Sequence, residues 1–581
     1  MKSYKNKITA LIVLAAIGLQ YSCSSDFLEM TPKSIISEDQ LVTPENAEGL
    51  VIAAYAELGN DHYTAPNSLW PYADITSGDA YKGGGGTGDI GEFNAMELFD
   101  FNTTNNGLLD QKWFRLYVGI GRANTALRVI NQLPTESFPK KTERQAELRF
   151  LRAHHYFILK TLFKFIPWID ETIPSDQYNK ISNVALSDQE LWNNIATEFK
   201  YAADNLPSTQ TDKGRPNKFA AKAYLAKVKL YQAYQQNDEN AVTNIDNTKL
   251  EEVVSLVNEI IGSGQFTLFS DFGYNFLQTY DETGKESVFT IQRSIDDGTS
   301  KGRLDWGNAL NYPMNPEYGC CWFHIPSQNL VNSFKTDING LPQFSTFNNF
   351  DVKETADFSS STSFDPRLDH TVAIPGHPWK YDPTFIYQKN WARAIDIYGH
   401  FSSLKENQHY KCACFEKVPP FMASSKNTDI IRYADVLLWK AEALIQLNRE
   451  NEALPIINQI RQRAINSKAM LKDNGGNAVS NYSIDIYKPG VNCTWNKDFA
   501  IKALQWERRL EFAMEGIRFF DLVRWGIAGD YINNYFAQES AKRDYIKSGK
   551  FTKGKHEYYP IPQNQINFSN GLYKQNHGWN L

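Results

Sequence analysis

After its first 22 residues the 581-residue chain has no hydrophobic run of membrane-spanning length, which takes about 20 apolar residues. Any attachment to a bilayer must therefore come from the N-terminus. Blocks of like charge are missing too. Lysine and arginine number 60 against 66 aspartate and glutamate, a net charge of −6, and without a basic stripe nucleic acid is excluded as the natural partner. The motifs His-Glu-x-x-His, Gly-x-Ser-x-Gly and the phosphate-cradling Gly-rich loop ending Gly-Lys-Ser/Thr do not occur. Their absence argues against zinc-hydrolase, serine-hydrolase and nucleotide chemistry.

His154 and His155 are adjacent, so on a helix they point about 100° apart and do not chelate one ion. The 6 cysteines are Cys23, Cys320, Cys321, Cys412, Cys414 and Cys493, and they give no closed disulfide framework. Cys412-x-Cys414 lacks zinc-knuckle spacing and a suitably spaced His. A disulfide between two loop segments, or buried free thiols, is the expectation; no metal and no cofactor is expected.

At the N-terminus, Lys2, Lys5 and Lys7 precede an apolar stretch from Ile8 to Leu19, then Gln20-Tyr21-Ser22 and Cys23. A basic start, a short apolar core and a small residue before the cut define a cleavable secretory signal over residues 1–22. A signal ending directly before Cys resembles a bacterial lipoprotein signal, although Leu19 stands one place further from the cysteine than the usual lipobox leucine. The resemblance implies that Cys23 is acylated, with residues 23–40 as a lipidated tether.

Aromatics make up 13% of a chain of mean hydropathy −0.47, with 13 Trp and 30 Tyr. Such an excess serves either a tyrosine-rich helical core or rings facing solvent. Helical periodicity is clear over 44–58, 113–133, 142–165, 187–206 and 216–235. In the third of these, Leu148, Leu151, Ile158, Leu162 and Phe165 step by threes and fours, with His155 in the missing slot. Residues 41–264 thus read as a helical-repeat region. Residues 265–430 mix short strand-like runs such as 287–292 with Gly, Pro, Asn and aromatics, an irregular region expected to bind ligand. Helices resume over 431–464, the length of one tetratricopeptide unit, with a turn at 448–451. Two helices cannot bury both their faces alone, so several such pairs must stack.

The stretch from Trp506 to Gly526, Trp-Glu-Arg-Arg-Leu-Glu-Phe-Ala-Met-Glu-Gly-Ile-Arg-Phe-Phe-Asp-Leu-Val-Arg-Trp-Gly, closely resembles the C-terminal signature of the SusD/RagB family. Arg432-Tyr433-Ala434-Asp435-Val436-Leu437-Leu438, Tyr559-Pro560-Ile561-Pro562 and Gln575-Asn576-His577-Gly578-Trp579 extend the resemblance. So do Trp113 with Tyr117, Glu147 to Ala153, and Ala220 to Ala226. The resemblance implies a mostly α fold: a tetratricopeptide-like helical-repeat scaffold with a large irregular capping region, in which 431–581 forms the C-terminal helical region and closing segment. It also implies no catalysis. The family's role is an outer-membrane, cell-surface lipoprotein that passes oligosaccharide, or in some branches peptide, to a TonB-dependent channel. A secreted glycoside hydrolase is the remaining alternative.

Glu507, Arg508, Glu511, Glu515, Arg518, Asp521 and Arg524 lie at helical spacing among large apolar residues. Glu511 and Glu515 resemble an acid/base pair, but Arg508 and Arg518 nearby favour a buried ion-pair network, with Gly516 ending a helix.

Sugar recognition uses flat aromatic faces plus carboxylate, amide and cationic hydrogen bonds to hydroxyls. Two loops have that composition. One holds Trp70, Tyr72, Asp74, Asp79, Tyr81 and Lys82, followed by Gly83 to Gly86 in an expected exposed turn; the other holds Trp306, Asn308, Tyr312, Tyr318, Trp322 and Phe323. Asp79, Tyr81, Trp306 and Tyr318 are the preferred contacts because each neighbours Gly, Asn or Pro. Trp322 joins them with core packing as its alternative.

Overall fold

The computed structural model describes residues 38–101, 104–299, 302–419 and 421–579. The expected signal and Cys23 lie outside them. The scaffold is a succession of helices, each packed on the next: α1 (Pro44–Leu58), α2 (Gly107–Gln132), α3 (Lys141–Phe163), α4 (Asp188–Asn205), α5 (Lys218–Ala233) and α6 (Asn247–Gly262). After the capping region come α7 (Tyr433–Gln446), which packs back on α6, then α8 (Glu450–Asn466) and α9 (Lys497–Phe512).

Local chemistry sets the starts of these helices. Thr43 caps α1, with Pro44 preset for the first turn. Ser187 and Glu190 form a capping box on α4. Asn217 begins α5: its carboxamide oxygen accepts from the Phe219 and Ala220 N–H groups. Asp246 does the same for α6, a helix the periodicity reading missed.

Helix α3 is buried on all sides rather than along one stripe, because α2, α4 and α5 enclose it. His154 hydrogen-bonds Tyr224 through Nδ1 at 2.5 Å. His155 packs under Gly119, where a Cβ would sit 2.2 Å from its ring. Both histidines fill helix–helix space, and among the described residues no His/Cys/Asp/Glu group is arranged to hold a metal.

Every sheet among the described residues is two-stranded. β1 (Ala80–Gly83) pairs with β3 (Phe323–Pro326), β2 (Ser287–Ile291) with β6 (Thr428–Arg432), and β4 (Phe415–Val418) with β5 (Phe421–Ser424). The β2–β6 pair delivers the capping region onto the N-terminus of α7. The main hydrophobic core runs through scaffold and cap alike. A second, small cluster lies within the cap: Tyr312, Tyr318, Ala373, Trp379, Tyr387, Leu404 and Met422.

The carboxylates of the C-terminal signature are structural, with different partners from those the spacing suggested. Glu511 is fully buried and meets Arg367, Arg432 and Arg463; Glu515 meets Lys405 and Arg432. Arg508 instead pairs with Asp435 and Asp521, and Arg518 donates to the Gln505 carbonyl at 3.2 Å. Burial would raise the Glu511 carboxyl, but three guanidinium groups and Lys405 hold it well below the usual range. The cysteine pairs are also local: Cys320 with Cys321 and Cys412 with Cys414, not a bridge between distant loops, while Cys493 is free.

Candidate functional site

The two loops picked out for sugar contact meet, but they meet each other. Strands β1 and β3 pair Tyr81 with Ile325 and Gly83 with Phe323. The Ser68 hydroxyl donates to Asn308 at 2.9 Å, and the Trp70 indole N–H to the Gly307 carbonyl at 3.3 Å. Gly83 and Gly84 belong to this seam and are buried. Gly83 has φ +80, and a Cβ there would lie 2.4 Å from the Trp322 carbonyl oxygen. The glycines therefore serve close backbone approach rather than a wholly exposed turn.

Four of the five expected contacts are consequently interior. Asp79, Tyr81, Tyr318 and Trp322 each have 0% exposure, so no sugar ring reaches them. The Asp79 carboxylate accepts from Arg509 Nε at 2.9 Å. The Tyr81 hydroxyl donates to Glu539 and accepts from the Gln328 N–H. That of Tyr318 donates to the Gln408 carbonyl and accepts from the Trp379 indole and the Tyr410 N–H. Trp322 closes the main core, its backbone N–H donating to the Tyr312 carbonyl at 2.9 Å. Trp306 alone keeps a half-exposed ring, on a short turn packed on β5.

Beneath the seam, His324 stacks on Trp70 and lies 3.0 Å from Asp74 and 2.8 Å from Glu406. Burial alone would depress the imidazole; the two carboxylates outweigh it and raise it to about 9. Burial pushes Asp74 up to about 6 even though the Gly516 N–H donates to it. This is a charged clasp between loops, with no open face for a substrate.

A polar pocket of about 110 Å³ beside it is lined by Asn275, Asp305, Lys405, Arg432 and Glu515. Its cations are occupied: Lys405 and Arg432 both hold Glu515. Burial raises Asp305 to about 7 although the Ser424 N–H donates to it.

A cluster of partly open rings lies instead on the small cap cluster. Phe385, Trp391, Tyr410 and Phe415 are half-buried rings packed against it. Phe385 lies 5.0 Å from Trp391 and 5.0 Å from Tyr410 between ring centroids. Local structure fixes each ring. Asp382 accepts from the Thr384 N–H and hydroxyl, turning the strand that carries Phe385. The Met314 N–H donates to the Trp391 carbonyl at 2.8 Å. The Tyr318 hydroxyl holds the Tyr410 backbone.

Around the rings stand Asp382, with His409 at 3.3 Å and Lys411 at 3.6 Å, and the exposed Gln388 and Asn390 just before Trp391. Flat apolar faces rimmed by amides, a carboxylate and a lysine can stack on a pyranose and hydrogen-bond its hydroxyls. The criterion that picks out Trp306, a ring beside Gly, Asn or Pro, also fits Trp391, which directly follows Asn390; that signal is present in the sequence.

A family model described as the SusD family matches residues 285–579, and one described as "Starch-binding associating with outer membrane" matches residues 26–230. SusD-like protein P38 of Formosa agariphila is 25% identical over 536 residues, covering 90% of this chain and 92% of that protein. A SusD-like protein of Bacteroides ovatus is 24% identical, covering 96% and 93%. Among solved structures, a SusD homolog from Bacteroides thetaiotaomicron superposes with TM-score 0.68 at 20% identity, over 95% of this chain and 100% of that one. Surface glycan-binding protein A of the same species, in complex with laminarihexaose, gives 0.63 at 19% identity over 92% and 99%.

Proposed function

The chain belongs to the SusD family, and from that premise we propose that it captures oligosaccharide on the Phe385–Trp391–Tyr410 platform without turning it over. The observation that carries the reading is the partial exposure of these rings in a cap where the other candidate aromatics, Trp306 excepted, are sealed. Solved relatives of the same fold include a laminarin-binding SusD-like protein and the laminarihexaose complex. Non-catalytic capture fits the carboxylates as well. Of the paired acids of the C-terminal signature, Glu511 is clamped by three arginines in the interior and the partly exposed Glu515 by Arg432 and Lys405, leaving neither free to serve as acid or base.

Trp306 remains a second proposed contact, since its ring is half-exposed. Delivery to a TonB-dependent outer-membrane channel, with a lipid on Cys23 holding the protein at the cell exterior, completes the proposal. The N-terminal signal pattern and the outer-membrane family description support it.

Calorimetry against a panel of soluble oligosaccharides and peptides tests the binding. Micromolar to millimolar affinity for a glycan, lost in Trp391→Ala, is expected. Binding of peptides alone overturns the reading. For the anchor, Cys23→Ala should release the protein from the outer membrane; unchanged detergent partitioning, with no lipid on residue 23 by mass spectrometry, overturns that part.

A further inference from the structure

Both disulfides of the described chain flank the same aromatic cluster. Cys320–Cys321 follows Tyr318 by two residues, and Cys412–Cys414 sits between Tyr410 and Phe415. Cys320 packs against the small cap cluster and against the main core, of which Cys321 is itself a member. On the other loop, the Cys412 N–H donates to the His409 carbonyl, the Phe415 N–H to the Cys412 carbonyl, and the Ser425 N–H to the Cys414 carbonyl. The second bridge thus closes the tight turn that carries Tyr410 into β4.

Chain entropy gives such bridges little to do for global stability. A disulfide stabilises chiefly by shortening the loops open to the unfolded chain, and the gain grows with loop length. Here one pair of bridged cysteines is adjacent in sequence and the other has a single residue between its members. What a bridge of that size does is stiffen its own turn and remove rotamers from the residues beside it. Those residues are Tyr318, which sits under the platform and holds the Tyr410 backbone, and the half-exposed Tyr410 and Phe415. Pre-ordered rings lose less freedom when a ligand stacks on them.

We propose that Cys320–Cys321 and Cys412–Cys414 are positioning residues of the aromatic platform, rigid staples that set its rings for a sugar face. The proposal rests on the glycan reading of that platform. It also makes capture sensitive to thiol reductants. Reduction adds two electrons and two protons per bridge: a dithiol supplies both and becomes a disulfide, whereas a phosphine supplies the electron pair and water supplies the protons and the oxygen of the resulting phosphine oxide.

The test compares oxidised protein, protein reduced with a phosphine, the double variant Cys412→Ala with Cys414→Ala, and reoxidised protein. Mass spectrometry of the native protein should show both intra-segment bridges. Reduction should weaken binding of the glycan identified by calorimetry at least tenfold and flatten the near-ultraviolet dichroism of the platform rings. The melting temperature should move by only a few degrees, and reoxidation should restore affinity. The double variant, which keeps Cys320–Cys321, should bind more weakly than the oxidised parent and lose further affinity only when that remaining bridge is reduced. Free thiols in native protein overturn the proposal, as does unchanged affinity after reduction. A melting temperature that collapses on reduction overturns it too, since the bridges would then be supports of the whole fold. If oxidised protein binds a glycan but Trp391→Ala binds it equally well, the platform reading itself has failed and the proposal falls with it.

Discussion

Arg367 donates to Glu507 across 2.6 Å with neither side chain exposed, joining a turn of the cap to α9 of the scaffold. Glu511, one turn on, takes the same guanidinium and two more, from Arg432 and Arg463. The C-terminal signature is therefore a junction at which strands, cap and last helices are locked by charge.

The first prediction separates its two carboxylates. Removing one partner of a buried ion pair costs roughly 3–5 kcal/mol, because the other is left charged and unmatched. Glu511→Ala removes a carboxylate shared by three guanidinium groups at a fully buried position, leaving Arg367, Arg432 and Arg463 each one partner short. Glu515 is 19% exposed, so water can solvate what Glu515→Ala leaves behind. Urea denaturation should place Glu511→Ala well below Glu515→Ala in stability. Equal costs would show that the network is hydrated.

The second concerns tryptophans of opposite role. Trp391→Ala should weaken glycan binding about tenfold or more, since a stacked ring contributes roughly 1–2 kcal/mol from its apolar area, with the melting temperature nearly unchanged. Trp322→Ala empties a fully buried site and should cost roughly 3–5 kcal/mol of stability. Calorimetry and thermal melting on both variants read the contrast, and a Trp322→Ala protein as stable as the parent contradicts the packing.

The third is a pH dependence. The His324 imidazole is raised from 6.5 to about 9. A histidine raised on folding contributes stability that is complete below its unfolded pKa and is lost as pH climbs through the folded one. The contribution of His324 to stability should therefore fall by on the order of 3 kcal/mol as pH rises from about 6.5 through 9, read as the difference between the parent and His324→Gln. Asp74 and Glu406 face the ring, with Asp79 acting on Asp74. Over that window both of His324's partners are ionised, burial holding Asp74 up only to about 6. Denaturant titrations across the window should show the falling limb, and His324→Gln should flatten it.

The fourth is steric. Gly516 has φ +73, and a Cβ there would lie 1.9 Å from the Ser68 carbonyl oxygen. Gly516→Ala should be among the most damaging single changes in the chain, lowering soluble yield or the melting temperature by many degrees. A normal melt would mean that the loop at Ser68 yields easily.

Most scaffold helices and their order, α6 excepted, were legible in the sequence because helix formation is local. Stripes at 3.6-residue spacing and the caps Thr43, Ser187 and Asn217 sit within a few residues of what they control. Family membership was legible for a related reason: the junction needs fixed residue types, and those stay in order along the chain. Solvent exposure was not legible. Asn and Gly neighbours marked Tyr81, Tyr318 and Asp79 as loop residues, yet the hydroxyls and the carboxylate found their partners in Glu539, Gln408 and Arg509, far along the chain. Phe385, Trp391 and Tyr410 have a similar local composition and stay half in solvent. A ring's neighbours in sequence fix its backbone; whether it is buried depends on which distant segment arrives to cover it, and only the tertiary structure decides that.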